Sequence, residues 1–340
     1  MKYKLLGKSG LRVSELCLGT MTFGEEWGYG ADEKESKKIF TSFTEAGGNF
    51  YDTANRYTEG TSEKHLGKFI KEFGNRNEAV IATKYSLYTE QNKINDSGNH
   101  RKNLVQSVEG SLKRLGTDYI DLLYIHAWDG TTDVEEVMRS LEYLVQSGKV
   151  LHIGISDTPA WIIAKANTLS EFRGWSSFIG VQLEYSLIRR DAERELIPMC
   201  REYNLGITAW APLGAGLLTG KYNKKNFENQ RLSENSLNVT EKNMAIALKL
   251  SDIAKQKDIP EHSMALNWMR QKHLNLIPVV GARKNEQIVS NLKCLEQTLD
   301  ADTIAQLDEI SQIELGFPHD FLTRESVENV MYGGLKEKIT

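Results

Sequence analysis

Short apolar runs alternate with stretches of helical spacing along nearly the whole 340-residue chain, and that alternation limits the fold more than any other feature. The runs are Leu16–Leu18, Asn49–Asp52, Ala79–Lys84, Ile120–His126, Leu151–Ser156, Phe178–Glu184, Gly206–Trp210 and Leu276–Val280. Between them, Ile39, Phe40 and Phe43 share one helical face, as do Leu104, Val108, Leu112 and Leu115. Gly47, Gly116 and Gly148 stand where helix C-caps belong. Strands that alternate with helices pair in parallel through right-handed crossovers. Eight such units in about 300 residues fit a closed (β/α)8 barrel. An open doubly wound sheet is the rival, but the G-x-G-x-x-G expected after its first strand is missing.

The chain therefore reads as one barrel domain over residues 1–340. Segments Lys2–Leu6 and Leu11–Val13 around Gly7–Gly10 form an N-terminal hairpin within residues 1–14, placed to plug the bottom of the barrel. Residues 300–340 form a C-terminal helix and tail. Three stretches are too long for simple connections: Tyr85–His100, Leu213–Thr240 and Leu315–Thr340. The first two leave the C-terminal ends of strands, the active-site face of such a barrel.

Composition removes several classes of function. The formal net charge of -4 provides no basic footprint for nucleic acid and no polybasic membrane patch. No apolar run approaches the roughly 20 residues of a membrane span, and the N-terminus lacks the pattern of a secretory signal. Cys17, Cys200 and Cys294 are far apart and odd in number, against a disulfide or zinc framework. A reducing cytoplasm is the expected compartment. Nothing in the sequence sets an oligomeric state.

Three ionisable residues end consecutive runs: Asp52, Lys84 and His126. Neighbouring strands lie about 4.8 Å apart, so these side chains can converge. Tyr57 follows Asp52 by five residues, close enough for its loop to fold back over the strand ends. Singly, Asp52 reads as a helix cap, His126 as a structural histidine and Tyr57 as a packing residue. Lys84 ends the apolar run Val80–Thr83 and needs a compensating anion if buried, for which Asp52 is the nearest candidate. The coincidence of all four marks a catalytic site.

Gly48-Asn49-Phe50-Tyr51-Asp52-Thr53-Ala54, Tyr57 and Thr61-Ser62-Glu63-Lys64-His65-Leu66-Gly67 together resemble the signature of the aldo-keto reductase superfamily. The resemblance continues through Thr83-Lys84, Asp118 to His126, Gly148-Lys149-Val150, Ile153 to Ser156, Val181-Gln182, Ala209 to Leu213 and Gly281-Ala282-Arg283. It covers nearly the whole chain in order. It is nearest the branch of aryl-alcohol-dehydrogenase-like enzymes and potassium-channel β-subunits. The resemblance implies reduction of aldehydes or ketones by hydride from NADPH, with NADH the lesser alternative. It makes Tyr57 the proton donor, Lys84 the charge that lowers its pKa, Asp52 the partner of Lys84, and His126 the group that polarises the carbonyl.

Trp210 offers a flat face for a nicotinamide ring, and the run Ala211-Pro212-Leu213-Gly214-Ala215-Gly216 lets backbone amides approach a pyrophosphate. A P-loop is excluded by glycine spacing and by Tyr222 after Lys221. The resemblance further implies that Ser156, Asp157 and Gln182 meet the nicotinamide and that Gly19, Thr20 and Met21 line the first strand end. It places Lys221 and Arg231 at the phosphates, and Gly281, Arg283, Gln287 and Asn291 at the adenosine half. Many members of the family carry Lys at the position of Gly281 and Arg at that of Gln287 for the 2′-phosphate. Here Arg283 and Lys284 supply the positive charge instead.

Trp27, Tyr57, Tyr85 and Trp128, with Tyr88, are expected to wall a pocket for a small carbonyl substrate. A regulatory subunit that binds NADPH in the same barrel is the alternative; in the channel subunits the histidine position is altered, whereas His126 stands here. A metal-dependent barrel hydrolase would need histidine pairs that the sequence lacks.

Overall fold

A computed structural model describes residues 1–223, 232–233, 235–273 and 275–339. The chain begins with β1 (Tyr3–Leu5) and β2 (Arg12–Ser14), an antiparallel pair with Lys4 opposite Val13. Eight strands then close into a parallel barrel: β3 (Cys17–Gly19), β4 (Phe50–Asp52), β5 (Val80–Tyr85), β6 (Ile120–Ile125), β7 (Val150–Ser156), β8 (Gly180–Glu184), β9 (Gly206–Trp210) and β10 (Leu276–Gly281), with β10 beside β3. The strands match the sequence reading to within two residues. The sixth run starts late because the Phe178 N–H bonds to Asn167 Oδ1, outside the strand ladder.

The helices alternate with these strands. They are α1 (Glu33–Glu45), α2 (Thr61–Phe73), α3 (Arg101–Leu115), α4 (Val134–Gln146), α5 (Ala160–Arg173) and α6 (Leu196–Glu202), then α7 (Glu241–Lys257) and α8 (Glu261–Lys272) before β10, and α9 (Asn285–Leu292) and α10 (Ala301–Ile310) after it. Gly116 caps α3, while Gly47 and Gly148 follow the caps Ala46 and Ser147 by one residue. Helices α1, α4, α7 and α10 start on a side-chain oxygen, as when Asp32 accepts from the Glu35 N–H at 2.7 Å. The C-terminal segment adds α11 (His319–Leu322) and α12 (Glu325–Tyr332), neither of which buries a residue. No helix among the described residues is long and apolar enough to cross a membrane.

Two apolar layers follow from the two-residue period of the strands. Cys17, Phe50, Val80, Ala82, Leu122, Tyr124 and Ile277 fill the barrel interior. Leu18, Tyr51, Ile81, Leu123 and Ile153, their chain neighbours or counterparts, face outward beneath the helices. The register sets Asp52 opposite Ala82 and Lys84 opposite Tyr124. Asp52 and Lys84 thus share parity with the interior residues and rise above them at the C-terminal end.

The hairpin closes the other end. Leu6 and Val13 belong to the interior cluster, and Lys4 Nζ donates to the Leu276 carbonyl at 3.0 Å. Gly7 lies where the hairpin meets β8 and β9, with φ of +58°, and a Cβ there would stand 2.3 Å from the Ile179 carbonyl oxygen and 2.7 Å from the Gly206 nitrogen. Both the left-handed backbone and the contact with main chain exclude a side chain. Gly7→Ala should therefore destabilise the protein by about 2–4 kcal/mol, read as a lower urea midpoint. A midpoint unchanged from wild type would show that the hairpin does not seal the barrel.

Candidate active site

The upper end of β4 is fixed by hydroxyl groups. Ser62 Oγ, from the first turn of α2, donates to the Thr20 carbonyl at 2.7 Å and lies 2.8 Å from the hydroxyls of both Thr20 and Thr53. Buried Glu63 accepts from the Thr83 hydroxyl and from Arg114 Nε, each at 2.6 Å. These contacts tie β3, β4 and β5 to α2 and α3, and so hold the frame on which Asp52 and Lys84 sit.

Within that frame the fully buried Lys84 ammonium donates to Asp52 Oδ2 at 2.7 Å, to the Thr53 carbonyl at 2.9 Å and to Tyr57 Oη at 3.1 Å. The second oxygen of Asp52 accepts from Gln182 Nε2 at 2.8 Å. The Tyr57 and His126 rings meet edge to face, 5.6 Å between centroids. His126 Nδ1 is buried without a partner among the described residues. A ring nitrogen with no acceptor is best left as a lone pair, which puts the imidazole proton on Nε2. Trp27 stands beside the group, its ring 6.3 Å from that of Tyr57 and its Nε1 donating to Glu59. Arg56 stacks over both Trp27 and Tyr88.

A cleft of about 730 Å³ opens over Asp52, Tyr57 and His126 and runs past Trp210 to Arg283 and Asn291. Trp210 is fixed by Nε1 donating to Asp157 Oδ1 at 3.1 Å. Beyond it the chain turns through positive φ at Ala211, Gly214, Ala215 and Gly216, a conformation that aims successive amides into a concavity.

A model of the aldo/keto reductase family matches residues 15–312. The chain belongs to that family. It is 41% identical over 322 residues to norsolorinic acid reductase stcV of Emericella nidulans, covering 92% of this chain and 82% of that protein. To norsolorinic acid reductase A of Aspergillus parasiticus the identity is 40%, over 94% of this chain and 84% of the relative. To aryl-alcohol dehydrogenase [NADP(+)] of Phanerodontia chrysosporium it is 36%, over 95% and 89%. As an aldo/keto reductase the protein is an NAD(P)H-dependent oxidoreductase.

The cleft of this reductase fits a dinucleotide in the chemistry of its walls: a flat indole, the turned amides, and the cations Lys221 and Arg283. Gly19, Met21, Ser156, Asp157, Gln182, Trp210, Ala211, Pro212, Leu213, Gly216, Gly281, Gln287 and Asn291 also line it. Thr20 and Gly214 do not. Thr20 is turned into the Ser62 hydroxyl network, and Gly214 is buried against Ile188. Arg231 lies outside the described residues. Tyr85 corrects the expected substrate wall: Lys84 points inward, so its neighbour points outward, and the Tyr85 hydroxyl donates to the Asn99 carbonyl at 3.2 Å beneath the helices. Trp128 likewise packs against the outer apolar layer. Sequence reasoning missed Glu184, at the end of β8, and Asn238, His262, Glu286 and Ser290, which line the cleft from loops and helices with no motif to mark them.

Burial dominates the electrostatics. It pulls the Lys84 pKa down, but Asp52 and Tyr57 outweigh it and the net moves up. Burial raises the Tyr57 pKa, and the opposing pull of the Lys84 ammonium only partly offsets it. Burial, helped by Lys84, drives the His126 pKa down from 6.5 to about 3. The unfolded chain binds a proton at His126 near pH 6.5 and the folded chain does not, so this contribution to stability is whole above 6.5 and is lost as pH falls towards 3. The stability gap between wild type and His126→Gln should accordingly shrink on acidification, with a slope approaching about 1.4 kcal/mol per pH unit. Urea titrations at pH 7.5, 6 and 5 measure it. A constant gap would mean the imidazole is not held neutral.

Proposed function

We propose that this protein is an NADPH-dependent carbonyl reductase in which Tyr57 delivers the proton. The observation that carries the reading is the full engagement of Lys84, whose three N–H groups go to Asp52, Thr53 and Tyr57. Because Tyr57 Oη accepts from Lys84, its own O–H is free to point into the cleft.

The geometry supports a short sequence of steps. A substrate carbonyl oxygen seated between Tyr57 and His126 accepts from Tyr57 Oη–H and from His126 Nε2–H. Held in the cleft by residues such as Trp210 and Gln182, a dihydronicotinamide would be the source of hydride for the carbonyl carbon. As negative charge builds on the oxygen, the proton passes from Tyr57 to it and yields the alcohol. The resulting phenolate is stabilised by the Lys84 ammonium, a charge already in place before the reaction. His126 stays neutral and orients the carbonyl.

Arg283 in the cleft wall supports NADPH, since a guanidinium grips a phosphate with paired hydrogen bonds. The name of the Phanerodontia relative includes NADP(+). Trp27 beside Tyr57 and the name aryl-alcohol dehydrogenase of the Phanerodontia relative support an aromatic carbonyl as substrate.

Tyr57→Phe should lose carbonyl reduction by several orders of magnitude while still binding NADPH. Retention of more than about a tenth of wild-type single-turnover rate would remove Tyr57 from the proton step. Arg283→Ala should weaken NADPH roughly ten- to a hundredfold and leave NADH almost unchanged, measured by quenching of tryptophan fluorescence. Equal losses for both cofactors would reduce Arg283 to a shaper of the turn, and a wild type that favours NADH would overturn the NADPH reading.

A further inference from the structure

At the end of the cleft remote from Tyr57, the wall is built by the start of α8 against one face of α9. Gln287, Ser290 and Asn291 fall three and four residues apart on that face, and all three line the cleft together with His262 of α8. His262 Nε2 lies 2.9 Å from Ser290 Oγ and 3.3 Å from the Ser290 carbonyl oxygen. A carbonyl can only accept, so in the tautomer that makes this contact Nε2 carries the proton. Nδ1 is then a lone pair, and among the described residues it has no protein partner.

Gln287, by contrast, is occupied. Its Oε1 accepts from the backbone N–H groups of Arg283 at 2.9 Å and Lys284 at 3.3 Å. The side chain that caps α9 is thus tied to its own helix end.

We infer that His262 reads the purine base of the cofactor, its Nδ1 accepting a hydrogen bond from the exocyclic amino group of adenine. The assignment rests on the cofactor reading of the cleft but not on the preference for NADPH, because both cofactors carry the same base. A 6-oxo purine presents an acceptor at that position. It would set one lone pair against another, so the site selects the 6-amino base. Neutral imidazole is required, and burial lowers the His262 pKa. The Ser290 contact and Glu261 act in the opposite sense, and Lys293 acts with burial.

The test is calorimetric titration of the full chain at pH 7.5 with adenosine 5′-diphosphate and inosine 5′-diphosphate. Neither probe carries nicotinamide or a 2′-phosphate, so hydride transfer and Arg283 do not enter. Wild type should bind the adenine nucleotide about tenfold more tightly, the scale of one buried hydrogen bond made against one left opposed. His262→Gln, whose amide can turn to accept or donate, should bind both within about threefold. His262→Leu should lose affinity for the adenine nucleotide and leave that for inosine diphosphate nearly unchanged. Equal affinities in wild type, or equal losses for both probes in the two variants, would overturn the role of His262 while NADPH binding still upheld the cleft. A wild type that binds neither the diphosphates nor NADPH would sink the cofactor reading and this assignment with it.

Discussion

The site depends on one buried charge. An ammonium taken out of water costs several kcal/mol even after the protein relaxes, and Lys84 is fully enclosed. Asp52 at 2.7 Å and the Thr53 carbonyl at 2.9 Å offset that cost only if β4 and β5 keep their register. The surrounding polar contacts serve that condition. Ser62 binds the ends of β3 and β4, Glu63 holds Thr83 one residue before the lysine, and Gln182 reaches across the barrel to the other oxygen of Asp52. Removing Asp52 would leave a buried cation without its counter-ion, a stability fault at the centre of the proposed site.

The same charge also acts on Tyr57, though it does not set the tyrosine's pKa alone. The sequence reading had Lys84 bringing the tyrosine pKa down, and Lys84 does pull in that direction. Burial is the larger effect, so the net moves up in the free protein. Tyr57 is then protonated across ordinary pH, which suits the proposed role of proton donor. On the proposed mechanism its acidity is needed only in the transition state, when a developing alkoxide would take the proton. A preorganised ammonium that stabilises the phenolate at that moment lowers the barrier without a low ground-state pKa.

How much could be read from the sequence follows from what fixes each residue. Asp52, Lys84 and His126 sit on or just beyond strands, where the two-residue period and the alternation of elements determine direction. Their convergence with Tyr57 was therefore legible before any coordinates. The same rule, applied one step further, places Tyr85 on the opposite side from Lys84, so its position in the outer layer was also latent in the strand pattern. His262 was not legible. Its place in the cleft depends on how α8 packs against α9, a contact between segments 28 residues apart in sequence with no shared motif. The role of Gln287 was hidden for a related reason, since a side chain that caps its own helix has the same sequence appearance as one that faces a ligand.

The two ends of the cleft are consequently built on different principles. The reacting end is anchored in strand register, where a one-residue slip would reverse every side chain, and it admits little change. The far end is carried by helix starts and loops, where single side chains can exchange tasks. Gln287 holds the backbone amides of Arg283 and Lys284 and so positions the turn that presents their side chains. An arginine at that position would add a cation but could not accept those two N–H groups, leaving the cap unmade. The chain has taken the other solution, in which the amide organises the turn that carries Arg283 into the cleft wall.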